Sequence, residues 1–509
     1  MKFTKNIFLV SCAALALAGC GADDIASPGE GTLVGGVAPT PTPTATPTTP
    51  VVGTPAASCP NGFTDRGVIA DRYRNCELPN QISSDFAIAK QSGVVYSLSG
   101  RVNVGTDQGG ASTGNNVTLT IDPGVVIFGS NGLDYLVVNR GNRINAVGTS
   151  TQPIIFTSRN NILGTATDTE SGKWGGVVLL GRAPISDCIS NPTTDGGTAT
   201  CERIVEGTAD ARFGGATAND NSGTMKYVQI RYSGFELAPG NELQGLTMGG
   251  TGSATSISNI QVHNSSDDGI EVFGGRTNLK HIVITGAEDD SLDTDIGYKG
   301  YVQFLIAVQR AVGDRLLEID STVADNSTHN YTPRQNVRLA NFTLVGNGGT
   351  RAVTLHGGAD YSFINGVITG KQNCIDIDDN ETVQTTGTDE AGPPVFHSMY
   401  LACSAAPFED DSDVTAATIA TLFADPSNTN NVSNGTSTLA SIFVNGANES
   451  GRPAYNLTAL NTALSTTFFT NVDYIGAVKN AADTWYRGWT CDSSFADFGS
   501  ASACTGLPN

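Results

Sequence analysis

The sequence predicts an all-β fold: a single right-handed parallel β-helix with a small irregular and helical C-terminal cap. Three observations predict it. Short apolar stretches recur every 22–25 residues, insertions fall between those stretches, and Gly, Asn and Asp punctuate the strands with no long helical pattern before residue 410. The segment DDGIEVF (267–273) lies over DDSLDTD (289–295) at an offset of 22, and DRLLEID (314–320) follows at 25. After a longer insertion, VTLH (353–356) and IDID (375–378) differ by 22, and LTMG (246–249) fits the same frame upstream. A second strand repeats with it: IQV (260–262) over IVI (282–284) at 22, and NFTL (341–344) over NGVI (365–368) at 24. A unit this short cannot bury its own apolar face, and stacking coils on one another solves that. A leucine-rich frame is missing, and a propeller needs repeats of roughly 40 residues. A β-sandwich is the alternative that short strands alone would allow.

Alternation along a strand assigns the two sides of each run. Leu246, Ile270, Leu292, Leu317, Val353 and Ile375 point inward, and so do Met248, Val272, Thr294, Ile319, Leu355 and Ile377. The residues between them point outward.

Taken in chain order, residues 1–19 read as a lipoprotein signal peptide. Lys2 and Lys5 precede an apolar stretch over 7–17, and Leu17-Ala18-Gly19-Cys20 resembles the bacterial lipobox, which implies lipidation of Cys20 and a membrane anchor. Gly21 stands where Asp favours inner-membrane retention in such lipoproteins, so the expected address is the outer membrane. Asp23 and Asp24 resemble an acidic surface-export signal, which places the protein facing the cell exterior. Residues 20–58 form a tether, whose Pro/Thr-rich part (39–55) favours extended polyproline II. No apolar run reaches the ~18–20 residues of a membrane-spanning helix.

The β-helix is expected over 59–410. Its opening strands are LTIDPGVVI (119–127), LVV (136–138), INAVG (144–148) and PIIFTS (153–158), followed by WGGVVLLG (174–181). With SDDGIE (266–271), DYIGA (473–477) and GWT (488–490), these stretches resemble a family of bacterial outer-membrane lipoproteins with a pectate-lyase-like β-helix, over about residues 90–490. The resemblance implies the fold and no settled activity. Setting aside Cys12 and Cys20 leaves eight cysteines, an even number that suggests disulfides in an exported chain. Of the 105 possible connectivities, near-neighbour pairing is expected: Cys59/Cys76, Cys188/Cys201, Cys374/Cys403 and Cys491/Cys504. Residues 411–509 are expected to cap the last coil. Two short helices are predicted over 416–423 and 457–464, and Phe468, Phe469, Trp485, Tyr486 and Trp489 supply apolar bulk. Both tryptophans are expected in packing rather than on sugar rings.

The chemistry follows from charge. Lys+Arg number 28 against 49 Asp+Glu, a net charge of −21, so nucleic acid is excluded as a partner. Stacking converts sequence columns into spatial ones. One outward column reads Thr247, Glu271, Asp293, Glu318, Thr354, Asp376; the next reads Gly249, Phe273, Asp295, Asp320, His356, Asp378. A turn column holds Asp267, Asp289 and Asp314, with Asp268, Asp290 and Arg315 beside it. Carboxylates on coils ~4.8 Å apart repel unless screened, protonated or bridged by a cation. Glu271, Asp293, Asp295, Glu318 and Asp320 are therefore the candidate Ca2+ ligands, with a solvated acidic face as the simpler alternative. Asp295, Asp320 and His356 loosely resemble the acidic and His-Gly motifs of polygalacturonase-type hydrolases and are the catalytic candidates. The paired-Asp motif beside Asp320 and the R-x-K after His356 are both missing. A lyase needs a basic residue near the cluster, and Arg315 is the only Lys or Arg within the aligned columns. His263 and His281 are expected at the surface of a different face. The sequence thus favours a surface lipoprotein that recognises an extended ligand, a polysaccharide, without turnover. A hydrolase or lyase of the same fold and an accessory partner of an outer-membrane transporter are the alternatives.

Overall fold

The computed structural model describes residues 53–111, 116–238, 241–321, 330–500 and 502–508. The signal peptide, Cys20 and nearly all of the tether lie outside them. Among the described residues two large sheets, parallel except where the strand Thr64–Ile69 pairs antiparallel with Tyr73–Glu77, wind together as a β-helix. One has ten strands, in the order Asn373–Ile377, Arg351–His356, Leu317–Asp320, Leu292–Asp295, Ile270–Phe273, Leu246–Gly249, Gly176–Leu180, Tyr135–Val138, Arg101–Val104, Gln81–Ile82. The other has sixteen.

The inward columns hold throughout. Leu246 pairs with Ile270, Ile270 with Leu292, Leu292 with Leu317, Leu317 with Val353 and Val353 with Ile375. These side chains are buried in one continuous core with Met248, Val272, Ile319, Leu355 and Ile377. The long insertion before residue 336 leaves the frame intact, because Asp320 still stands opposite His356. The strands on either side of the insertion keep the register of the other coils.

The longer sheet turns a corner inside each coil. Tyr227, Asn259, His281, Phe304, Asn341 and Asn365 all have left-handed backbones, with φ between 53° and 62°. Each is skipped in the pairing of its strand with the next. One left-handed residue bends the strand and gives the coil a third side. Asn tolerates this conformation best among residues with a side chain, and it occupies half of the column.

Residues 411–509 divide into two parts. Val414, Ile419 and Phe423 join Phe408 at the end of the core, with the helix Ala416–Phe423 supplying Ile419 and Phe423. This part is the expected cap. The rest departs from expectation: it runs back along the outer face of the long sheet as a strap. Leu457 and Phe469 pack on Ala340 and Ile364, and Ile475 packs on Val367. Ala477, Val478, Tyr486, Trp489 and Phe498 cover Val283, Ile306 and Val308, and Leu507 reaches Val95, Phe128 and Ile155 near the first coils. Several outward positions of this sheet, Val283, Ile306 and Val308 among them, are apolar and demand cover.

Side-chain amides of the sheet hold the strap by its backbone. Gln261 accepts from Cys491 N at 2.7 Å and donates to Cys491 O at 3.0 Å. Gln303 does the same with Thr470, at 2.8 Å both ways. Buried Arg231 donates to Cys504 O and Gly506 O at 2.9 and 2.7 Å. The expected surface position of His263 is therefore overturned. It is fully buried, faces Thr285 Oγ1 at 2.9 Å and stacks on Phe495 of the strap. His281 is half-buried between Phe304 and Trp485, and Trp489 is buried in packing as expected.

The four disulfides join the cysteines in the expected sequential order: Cys59 to Cys76, Cys188 to Cys201, Cys374 to Cys403 and Cys491 to Cys504. Two of them staple the ends of the core. Cys76, on the strand Tyr73–Glu77, is buried in the core, and its half-buried partner Cys59 packs against it at the first coil. Cys374 is buried on the last strand of the ten-stranded sheet, and its half-buried partner Cys403 follows the strand Tyr400–Ala402.

Candidate functional site

The outward face of the ten-stranded sheet changes character along the solenoid. Its first outward column reads Val137, Val178, Thr247, Glu271, Asp293, Glu318, Thr354, Asp376 through consecutive pairings. The apolar half is covered by an insertion after Leu180. Ile185, the Cys188–Cys201 disulfide, Val205, Ala211 and Phe213 pack there on Val137, Val178, Leu180 and Phe273. The acidic half begins where that cover ends. Of the four disulfides, this is the one that borders the candidate site. Cys76 and Cys374 face the core with their partners Cys59 and Cys403 against it, and Cys491 and Cys504 belong to the strap. Those six cysteines are structural and take no part in the acidic face.

At the boundary, one carboxylate oxygen each from Asp268, Glu271 and Asp293 lies within 4.8 Å of the others. All three residues are over nine-tenths buried, at 6%, 5% and 8% exposure. Asp268 Oδ1 accepts from Asp290 N at 2.9 Å, which fixes its turn against the next coil. No donor reaches Glu271 Oε2 or Asp293 Oδ1, and these two side chains bond to each other only when one keeps its proton. Burial, and then the neighbouring carboxylates, push all three carboxyls well above their ordinary range. Glu206 reaches in from the insertion and accepts from Gln244 Nε2 at 2.6 Å; that same amide reaches Asp267 at 3.2 Å. Burial raises Glu206 to about 7, and burial with Glu206 beside it raises Asp267 to about 8.

The next coils carry a different arrangement. His356 Nε2 lies 3.3 Å from Glu318 Oε1, and its Nδ1 lies 3.8 Å from Asp320 Oδ2. Arg315 Nη1 pairs with Asp314 at 2.7 Å and Glu318 at 3.4 Å, and its backbone N–H donates to Asp290. Burial opposes charge on Glu318, but His356, Asp290 and Arg315 outweigh it and hold the carboxyl down at about 2. Burial likewise opposes charge on His356, but Glu318 and Asp320 outweigh it and raise the imidazole to about 9. Asp295 beside them is pushed well above its usual range by burial and by Asp320 and Glu318.

The five expected Ca2+ ligands are thus divided. Glu271 and Asp293 join Asp268, whereas Glu318 and Asp320 face His356, with Asp295 beside that pair. The reason is that a cation partner, His356, arrives in register two residues along the strand. The catalytic candidates Asp295, Asp320 and His356 do stand side by side on successive coils. Sequence reading missed Asp268 as a cluster member and Glu206 altogether. The first sits in a turn, where alternation assigns no direction; the second comes from an insertion outside the repeat. Arg315 neutralises Asp314, as its place in the turn column suggested.

A family model for a pectate-lyase-like β-helix domain matches residues 84–490. No curated protein and no solved structure matches the chain. Since that match runs from the opening coils to the strap, the chain belongs to the pectate-lyase-like β-helix family.

Proposed function

We propose that this protein is a lipid-anchored outer-membrane protein facing the cell exterior, whose β-helix recognises an extended polysaccharide without cleaving it, with Ca2+ held by Asp268, Glu271 and Asp293. The buried trio carries this reading, because two of its carboxylate oxygens accept no hydrogen bond. A buried carboxyl must keep its proton or meet a cation, and Ca2+ suits crowded carboxylates of irregular geometry. The ion would neutralise the trio and offer open coordination positions to sugar hydroxyls or carboxylates. Beyond it, Asp295, Glu318, Asp320, Thr354 and His356 continue a polar strip on coils ~4.8 Å apart, which repeats hydrogen-bonding groups along a chain-like ligand. Basic groups of the strip are engaged: Arg315 with Asp314 and Glu318, His356 with Glu318 and Asp320, Arg351 with Asp376 and Glu409. Elimination calls for a free base, so these pairs favour binding over lyase chemistry. The family supports a carbohydrate ligand by fold analogy.

Hydrolysis is the second reading, and one observation favours it. Glu318 is held at about 2 while Asp295 is pushed well above its usual range. An ionised and a protonated carboxyl on adjacent coils is the combination that acid–base glycoside cleavage uses.

One experiment separates these. Purified protein is passed over a panel of immobilised polysaccharides with Ca2+ or EDTA, and the same glycans are assayed for new reducing or unsaturated ends. Calcium-dependent retention without new ends is expected, with retention lost in Glu271→Gln. Retention indifferent to EDTA would remove calcium from the reading. New reducing ends, abolished by Asp295→Asn, would establish hydrolysis. Co-purification with a membrane protein and no glycan retention would point to an accessory role. The anchor is tested by fatty-acid labelling, which Cys20→Ser abolishes.

A further inference from the structure

We propose a second Ca2+ site, formed by Asp376, Asp378 and Asp411, that ties the C-terminal cap to the last coil of the β-helix. Residues 407–411 form a final rung on the strand Asn373–Ile377. Cys374 N and Ile375 N donate to Pro407 O at 2.9 and 3.0 Å, Glu409 N donates to Ile375 O at 3.0 Å, and Ile375 bridges Phe408 in parallel register. That register sets Asp376 beside Glu409 and Asp378 beside Asp411. One carboxylate oxygen each from Asp376, Asp378 and Asp411 falls within 4.8 Å of the others.

A second observation points to a ligand. Asp376 is 1% exposed, and while Arg351 meets its Oδ2, no donor reaches its Oδ1. Asp411 Oδ2 and Glu409 Oε2 are buried and equally unsatisfied. The counter-charge at hand is Arg351, whose Nε lies 3.0 Å from Asp376 Oδ2 and whose Nη2 lies 3.6 Å from Glu409 Oε1. That guanidinium pairs with Asp376 and Glu409, which leaves Asp376 Oδ1 and the adjoining Asp378 and Asp411 without an ion-pair partner from it. Hard oxygen donors in excess of their cations are the donor set that Ca2+ takes.

The consequence is mechanical. Immediately after Asp411 the chain enters the helix Ala416–Phe423, which Thr415 caps and which sets Ile419 and Phe423 over the end of the core. A cation on Asp411 pins the rung from which this helix hangs, so closure of the solenoid end depends on calcium. This site does not depend on the glycan reading and shares no ligand with the trio.

The test uses the whole protein. Bound Ca2+ is counted by equilibrium dialysis, and hydrogen exchange is followed over residues 407–423 with Ca2+ and with EDTA. Glu271→Gln empties the trio, so the calcium that remains reports the cap site. The Glu271→Gln protein is expected to bind one Ca2+ per chain, and adding Asp411→Asn is expected to remove it. Calcium is expected to slow exchange over 407–423 in the wild type and in Glu271→Gln, and to lose that effect in Asp411→Asn. Asp378→Asn, at a half-buried position, gives the same readout if Asp411→Asn fails to fold. Unchanged calcium stoichiometry in both Asp variants, or exchange over 407–423 indifferent to calcium, would overturn the site.

Discussion

Replacing Glu271 by Gln removes one charge from the buried trio and keeps its shape. Two charges no more than 4.8 Å apart interact by at least about 3–4 kcal/mol at an effective dielectric of 20. Protonation of a neighbour relieves part of this, so the net gain without calcium is expected at ~1–3 kcal/mol. The pH dependence has a definite sign. Burial first, and then Glu206 and Asp295, raise the folded carboxyl of Glu271 above its unfolded value. The unfolded chain therefore ionises first as pH rises. Stability from this group is fully present below about pH 4 and is lost as pH climbs through the raised folded value. In EDTA, the wild type should lose stability between acid and neutral pH, and Glu271→Gln should follow a flatter course. Calcium reverses the order, because a ligand at 100 times its Kd adds ~2.7 kcal/mol to the form that binds it. Urea unfolding by circular dichroism, in EDTA and in saturating calcium at fixed ionic strength, measures both arms. A variant less stable than wild type by the same amount in both conditions would refute the reasoning, since only repulsion relieved by calcium predicts a crossing.

Other outcomes follow from the strap and the turns. Burial and the charges of Arg231 and Arg310 hold His263 well below its usual range, and burial with Lys280 and Lys226 holds His281 at about 4. Each contributes stability above the unfolded value of ~6.5 and loses ~1.4 kcal/mol per pH unit below it; hydrogen exchange over 485–495 should quicken at pH ~5, and His263→Gln should blunt the change. Exchange there that ignores pH would count against the buried-histidine account. Gln261→Ala leaves both backbone groups of Cys491 unpaired, so a loss of ~1–3 kcal/mol is expected in unfolding experiments; a neutral result would mean that water replaces the clasp. At Gly269 an added Cβ would lie 2.3 Å from Ile284 Cγ2 and 2.6 Å from Ser291 O. Gly269→Ala should cost ~1–3 kcal/mol and weaken calcium binding at the adjacent Asp268, as calorimetry with calcium titration would reveal.

Much of the fold was legible because a solenoid repeats one local rule. Ile270, Leu292 and Leu317 occupy equal places in successive coils, so offsets in the chain predict which of them stack. The outward acidic columns follow from the same register, and with them the meeting of Asp295, Asp320 and His356. The pairing of Cys59 with Cys76 and of Cys374 with Cys403 was legible too, since each pair lies within a short stretch of chain. The strap was not legible, since nothing in residues 439–508 repeats. Its contacts join partners such as Arg231 and Cys504, 273 residues apart. A signal was present in Val283, Ile306 and Val308, apolar residues at outward positions that called for cover. They revealed that something covers this face without revealing what.

Residues alone determined the alternation of inward and outward side chains, the stacking register and the choice of one face for acid. These depend on the two-residue period of a strand and on a constant coil length, both local properties. Tertiary structure decided which carboxylates stand unpaired and which meet His356 or an arginine. It also decided that the greater part of the cap region lies against the flank of the solenoid. Those outcomes depend on turns and insertions, whose side chains obey no period, and on desolvation, which exists only once distant segments close over a group.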